Sequence, residues 1–168
     1  MIVRILSGDH KETVLACAAT CGIDSTSDGF SAFKEMSGQE FRNEMEGKMS
    51  IVRDSQNAND WTYKFNSPAA ESHFSRTLAH TIIMHRASPE DKKMFIAGLK
   101  LLGCSVAYTG DSVADAGSLK EANVGMCFGG CDVARDSADI IIRDSNFCNV
   151  SNAAKWGRNI HDNVKRFL

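Results

Sequence analysis

Twice in this chain of 168 residues a short apolar run stops at a hydroxyl, a glycine and an aspartate and then gives way to helical periodicity. Ile2-Val3-Arg4-Ile5-Leu6 is broken by Ser7-Gly8-Asp9, and the run from Cys104 to Tyr108 meets Thr109-Gly110-Asp111. A strand that passes into a helix through so few residues is one half of a strand–helix–strand crossover. The remaining sequence continues the alternation. His10 to Cys21 has the helical spacing of Val14, Leu15, Ala18 and Ala19, with Gly22 as its stop. Ala79 to His85 reads as a strand, and Ser88 caps a helix that opens on Pro89, Glu90 and Asp91 and ends at Gly103. Asn123 to Phe128 and Asp139 to Ile142 are further strands, with a short helix over Asp132 to Ser137 between them and a long helix from Asn149 to Leu168. The pattern predicts an α/β fold with a mainly parallel sheet and right-handed crossovers, and such sheets bind ligands beyond the carboxyl ends of their strands.

Residues 24–75 hold no period for long. They predict an irregular surface excursion with a short helix near Glu40 to Gly47, and turns at Asn57 to Asp60 and at Asn66-Ser67-Pro68. Hydrophobic residues at 43% and charged residues at 24% exclude a wholly disordered chain. Nineteen basic against twenty-one acidic side chains leave a net charge of −2, which sets aside a strongly basic nucleic-acid binder. No apolar run approaches the roughly 18 residues that a membrane span needs. The six cysteines sit mostly within apolar patterns and predict reduced, buried thiols, since Cys127-x3-Cys131 lacks a second pair at zinc-ligand spacing.

The chemistry lies at the two similar strand ends. A glycine there lets backbone N–H groups approach an anion, a hydroxyl donates to phosphate oxygen, and a carboxylate suits a hard cation. Asp111 and Asp115 stand four apart at a helix start, which predicts that both face the open end of the strand. Two neighbouring carboxylates repel unless water or a cation lies between them, and Mg²⁺ is content with few carboxylates, waters and substrate phosphate. The plainer alternative is a helix-capping Asp111 and a solvated Asp115. Lys92, in the first turn of its helix, reads either as a solvated side chain or as a phosphate-facing one.

An ordered set of motifs then becomes recognisable: Ser7-Gly8-Asp9, Cys21-Gly22-Ile23, Ser88-Pro89-Glu90-Asp91-Lys92, Thr109-Gly110-Asp111, the run from Ala116 to Gly125, Asp139-Ile140-Ile141-Ile142 and Trp156-Gly157-Arg158-Asn159. Over residues 1–23 and 76–168 the chain resembles the phosphorylation domain of P-type cation-transporting ATPases, most nearly the calcium pumps of plasma-membrane type, and Gln39-Glu40-Phe41-Arg42 resembles them too. The resemblance implies a Rossmann-like domain of the haloacid-dehalogenase type, in which an aspartate of a D-K-T-G-T motif is phosphorylated by ATP and hydrolysed again. It implies Asp111 as the Mg²⁺ ligand with Asp115 beside it, and Lys92 as the neutraliser of phosphoryl charge. Ser7, Gly8, Asp9, Thr109 and Gly110 would contact phosphate or nucleotide, with Arg86 near the nucleotide.

The sequence departs from that pattern in three ways. The D-K-T-G-T motif is absent, and its nearest imitation, Asp24-Ser25-Thr26, follows a helix stop rather than a strand. Ser112 stands where the family has glycine, and Ala114 where it has asparagine. The resemblance thus implies one phosphorylation-domain segment of a larger membrane pump. This segment would lie on the cytoplasmic side, and its final helix (149–168) would lead toward a membrane stalk. Its partners would be the nucleotide-binding, actuator and transmembrane domains, and the transported Ca²⁺ would bind outside this chain. Alone it is expected to be soluble and inactive, with the neighbours of the missing nucleophile strand exposing their edges. A degenerate, non-catalytic binding or regulatory protein of the same fold is the alternative. A soluble phosphatase is a third reading that lacks its nucleophile.

Overall fold

The computed structural model describes residues 2–23, 34–53, 61–77, 80–144 and 146–168. Its elements in chain order are β1 (Ile5–Leu6), α1 (Lys11–Thr20), β2 (Lys34–Ser37), α2 (Gly38–Met45), β3 (Met49–Arg53), β4 (Trp61–Phe65), α3 (Pro68–Thr77), β5 (Thr81–His85), α4 (Pro89–Leu101), β6 (Ala107–Gly110), α5 (Ala116–Glu121), β7 (Val124–Phe128), α6 (Asp132–Asp136), β8 (Ile140–Ile142) and α7 (Cys148–Phe167). A single 3-10 turn, Val113–Asp115, links β6 to α5.

The mixed α/β architecture with parallel strands and flanking helices is as expected, but among the described residues the parallel strands form two sheets rather than one. One has the order β1-β5-β2, with Ile5 opposite Ile83 and Met36 opposite Met84. The other has the order β6-β7-β8, with Tyr108 opposite Gly125 and Cys127 opposite Ile141. Strands β1 and β6, which carry the two Gly-Asp signatures, are therefore each bonded on one side only among the described residues.

The described part of the segment read as irregular forms regular elements. Within 24–75 lie β2, which joins the first parallel sheet, α2, the antiparallel β3–β4 hairpin and α3. Helix α2 starts with a reciprocal cap: Glu40 N–H donates to Ser37 Oγ, and Ser37 N–H donates to Glu40 Oε2. These elements supply much of the core. Phe41 and Phe74 pack on Phe95 of α4 at ring-centroid distances of 5.8 and 5.9 Å, and Met36, Met45, Met84 and Leu99 close the cluster. The turn expected at Asn57 to Asp60 and the imitation motif Asp24-Ser25-Thr26 lie outside the described residues.

Helix α4 is the spine of the molecule. Ser88 and Asp91 cap it reciprocally, Pro89 fills its first turn, and Phe95 to Leu99 are buried without a break. It packs on β4, on α2 and on α5, so it touches both parallel sheets' neighbourhoods at once. All six cysteines are free thiols, as expected, but their burial is not: Cys17, Cys21, Cys104 and Cys148 are exposed, Cys131 is half-buried and only Cys127 is buried. Burial, with Cys131 and Asp111 nearby, pushes the Cys127 thiol above its ordinary value.

Candidate functional site

At the end of β1, Ser7 Oγ donates to Asp9 Oδ2 at 2.8 Å and accepts from the Asp9 N–H at 3.2 Å. This turn is stitched to the end of β5 by backbone bonds: Ser7 N–H to Met84 O, Arg86 N–H to Asp9 O and Ala87 N–H to Ser7 O, each at 2.9 Å. Arg86 has a left-handed backbone, φ 49°, and its guanidinium donates to His10 Nδ1 at 2.8 Å. Sequence reasoning named Ser7, Gly8, Asp9 and Arg86 separately. The parallel pairing of β1 and β5 makes them neighbours.

At the end of β6 the chemistry is tighter. Lys92, four residues past the cap of α4, places its ammonium 2.9 Å from Asp115 Oδ1, and the two side chains are 12% and 9% exposed. Tyr108 Oη donates to the same oxygen at 2.7 Å. Ser112 Oγ donates to Oδ2 at 2.6 Å, with its N–H at 3.4 Å. Burial pulls the Asp115 carboxyl up, but the hydrogen bonds from Ser112, Tyr108 and Lys92 outweigh it and hold the group at about 2. Burial, then the Asp115 bond, pushes the Tyr108 phenol well above its ordinary value. Gly110 is required here, because a Cβ on it would stand 2.6 Å from the Asp115 Cβ.

Asp111 behaves differently from Asp115. It is exposed, and no described side chain bonds its carboxylate. Its carbonyl accepts from Cys131 N–H at 3.2 Å, and Gly130 lies so close that a Cβ there would stand 2.8 Å from that carbonyl oxygen. The two carboxylates expected to face one cation thus differ in their protein partners among the described residues. Asp115 has spent its oxygens on four protein donors, whereas Asp111 is open. An exposed carboxylate at a strand end, with no described side chain bonded to it, is of a type that fits a hard cation such as Mg²⁺. Asp115 fits a group that positions Lys92. Among the described residues there is no cluster of three side chains of metal-ligating type.

Thr109 and Gly110 lie within β6 itself, opposite Met126 and Cys127, rather than in a loop after it. Tyr108 was legible only as an apolar strand residue. Its hydroxyl acquires a role because β6 ends two residues later than the apolar run suggests.

No protein-family profile matches the chain. It is similar to calcium-transporting ATPase 2 of Schizosaccharomyces pombe, 38% identical over 99% of this chain and 11% of that protein. It is also similar to calcium-transporting ATPase 2 of Saccharomyces cerevisiae, 34% identical over 99% of this chain and 12% of that one. The plasma-membrane-type calcium-transporting ATPase 8 of Arabidopsis thaliana is 32% identical, again over 99% of this chain and 13% of its own length. A solved structure of the catalytic domain of the CPx-ATPase CopB-B covers 55% of this chain and 52% of its own, with 24% identity and a TM-score of 0.36. The chain thus spans between a tenth and a seventh of the length of these curated relatives. Over nearly its whole length, it is homologous to one segment of the calcium-transporting P-type ATPases.

Proposed function

We propose that this chain supplies the Mg²⁺-binding and phosphate-contacting part of the aspartyl-phosphorylation site of an ATP-driven calcium pump, and that it does not turn over ATP alone. The observation that carries this reading is the Lys92–Asp115 pair beside the open carboxylate of Asp111. In phosphoryl transfer the protein does little covalent chemistry; it positions groups and neutralises charge. The Lys92 ammonium, held by Asp115, would meet the oxygens of the transferred phosphoryl group. Asp111 would hold Mg²⁺, which would supply neutralisation of the phosphate charge. Ser7 and the N–H groups of Gly8 and Asp9 would donate to phosphate or nucleotide, and Thr109 and Gly110 would do so from β6. Arg86 would lie along the nucleotide.

The nucleophilic aspartate, the nucleotide-binding and actuator domains and the membrane helices would come from the rest of the pump, with the domain described here on the cytoplasmic side. Calcium would bind in that membrane part. No helix among the described residues is long and apolar enough to cross a membrane. The edges of β1 and β6, each unpaired on one side among the described residues, support the insertion of a further strand of the haloacid-dehalogenase type between the two sheets.

Ala114 favours a second reading, a non-catalytic relative that keeps the fold for binding. It is exposed and offers only a methyl group where the resemblance implies an amide. One experiment separates the two. The gene product recognised by an antibody to this chain is recovered from membranes and incubated with γ-labelled ATP and Mg²⁺. A calcium-dependent, acid-stable phosphoprotein that disappears in Lys92→Ala and Asp111→Asn supports the pump. A product that never takes label overturns it in favour of the non-catalytic reading.

A further inference from the structure

An open cleft of about 690 Å³ lies between the β3–β4 hairpin and the face made by α4 and α5. Nothing in the phosphorylation chemistry uses it. Lys100, on its wall, is eight residues beyond Lys92 on the same helix, about 12 Å along the axis at 1.5 Å per residue.

The charge of this cleft runs against that of the chain. Among the described residues Arg53, Lys64, Lys100 and Lys120 line it with a single carboxylate, Glu121, so this described lining carries 4 − 1 = +3 while the whole chain carries −2. Lys100 is already committed to Glu121, at 3.2 Å from Oε1 and also bonded to the Glu121 carbonyl. Arg53, Lys64 and Lys120 are exposed, and among the described residues none of them has an ion-pair partner. Cations on three separate elements around one concavity give it a positive field that attracts a multivalent anion.

The rest of the wall is apolar. Tyr63 is buried and meets the Trp61 ring edge-on at 5.4 Å, and Ala97 and Leu101 of α4 face them. The ammonium of Lys93 sits 3.6 Å from the centroid of the Trp61 ring and so fixes its position. A concavity of a few hundred Å³ with an apolar floor and a few convergent charges has the make-up of a small-molecule site. A docked protein would instead need roughly 800 Å² of surface on each side. Arginine and lysine at the rim suit phosphate oxygens, which arginine grips through two N–H groups at once.

We propose that this cleft binds a small anion bearing two or more phosphate groups, either free in solution or as the headgroup of a lipid. The inference stands independently of the catalytic reading.

The test is direct binding to the full chain carrying Trp156→Phe, so that Trp61 alone reports. The two probes are tripolyphosphate and vesicles of phosphatidylcholine with a small fraction of phosphatidylinositol bisphosphate. Saturable quenching or enhancement is expected, and binding by tripolyphosphate or by vesicles alone tells the free ligand from the headgroup. The triple variant Arg53→Gln, Lys64→Gln, Lys120→Gln should weaken binding at least tenfold, and Glu121→Gln, which keeps a partner for Lys100 and removes the one carboxylate among the described lining residues, should tighten it severalfold. Neutralising Lys155, Arg158 and Lys165 of α7 should change affinity less than twofold. Absence of saturable binding to both probes overturns the proposal. So does an equal loss from the α7 changes, which means general charge, or equally tight binding of polyglutamate of matched charge, which means an acidic segment. Should the triple variant fail to fold, the direction of the Glu121→Gln effect decides alone.

Discussion

Lys92 and Asp115 are joined at 2.9 Å although the helix that carries Lys92 follows a strand of one parallel sheet and Asp115 follows a strand of the other. The pair is thus both a piece of the site and a tie between two sheets that share no strand hydrogen bonds among the described residues. Replacing Asp115 with asparagine leaves Tyr108, Ser112 and Lys92 donating to a neutral amide and leaves the Lys92 ammonium half-buried without its counter-charge. Breaking one side of such a pair costs about 3 kcal/mol. Urea melts of Asp115→Asn against the parent at pH 7 measure it.

The same carboxylate makes stability pH-dependent. Its folded value of about 2 lies below the ordinary 3.8, so the folded state favours the ionised form. That contribution is complete above pH 5 and is lost as pH falls through 3.8 toward 2. It amounts to about 1–2 kcal/mol after allowance for solvent. Melts repeated from pH 6 down to pH 2.5 should show the loss in the parent and a flatter profile in Asp115→Asn. An unchanged slope in the variant would assign the acid sensitivity elsewhere.

Gly98 sets helix propensity against packing. Alanine in a helix interior is favoured over glycine by about 1 kcal/mol. A Cβ at Gly98, however, would stand 2.4 Å from Cζ of Phe74, which is fully buried and wedged between Phe65 and Phe95. The ring has nowhere to go, so Gly98→Ala should destabilise the protein, by about 1–3 kcal/mol. A higher melting temperature in the variant would show that the aromatic cluster yields.

Arg42 of α2 pairs with Asp91 of α4, whose side chain is 1% exposed and also accepts from Ser88 N–H at 2.8 Å. Arg42→Ala removes the cation paired with the buried Asp91 carboxylate, and it should cost about 2–3 kcal/mol. The double variant Arg42→Ala, Asp91→Asn should recover part of that loss. A double-mutant cycle on denaturant midpoints measures the coupling.

Helix α7 should respond in the opposite way. None of its residues is buried, and Trp156, Ile160 and Val164 are 67%, 60% and 51% exposed. Changing Trp156 and Ile160 to serine should shift the melting transition by less than about 0.5 kcal/mol. Amide exchange in α7 should be much faster than in α4, because its hydrogen bonds open without disturbing the core.

What the sequence made legible was local. Ser88, Pro89 and Gly103 bracket α4 within a residue or two, since caps and breakers act over a single turn. What it hid was non-local. Lys34–Ser37 has no apolar alternation and becomes a strand only because β5 lies beside it, so residues that read as a surface excursion turn out to extend a sheet. The run from Cys104 promised a strand to Tyr108, yet pairing with β7 moves it to Ala107–Gly110, and the Asn123 side chain takes up the Val106 N–H that is left over. That two-residue displacement is why Thr109 and Gly110 are strand residues. Lys92 and Asp115 are nameable from the sequence as site residues, Ser112 only as a departure and Tyr108 only as a strand residue, and the convergence of Lys92, Tyr108 and Ser112 on the Asp115 carboxylate depends on chain crossings that no local pattern encodes.

Helix α7 is rooted in the body by little more than the stacked rings of Phe128 and Phe147, 5.6 Å apart, and the bond from Asn149 to Asp144. Its 20 residues make a rod about 30 Å long. It therefore acts as a moment arm: a tilt of about 10° at Cys148 carries Phe167 through about 5 Å, given 1.5 Å of rise per residue. Phe128 closes β7, whose neighbour β6 leads to Asp111, so a sub-ångström adjustment at that strand end would be magnified several-fold at the far tip of the rod.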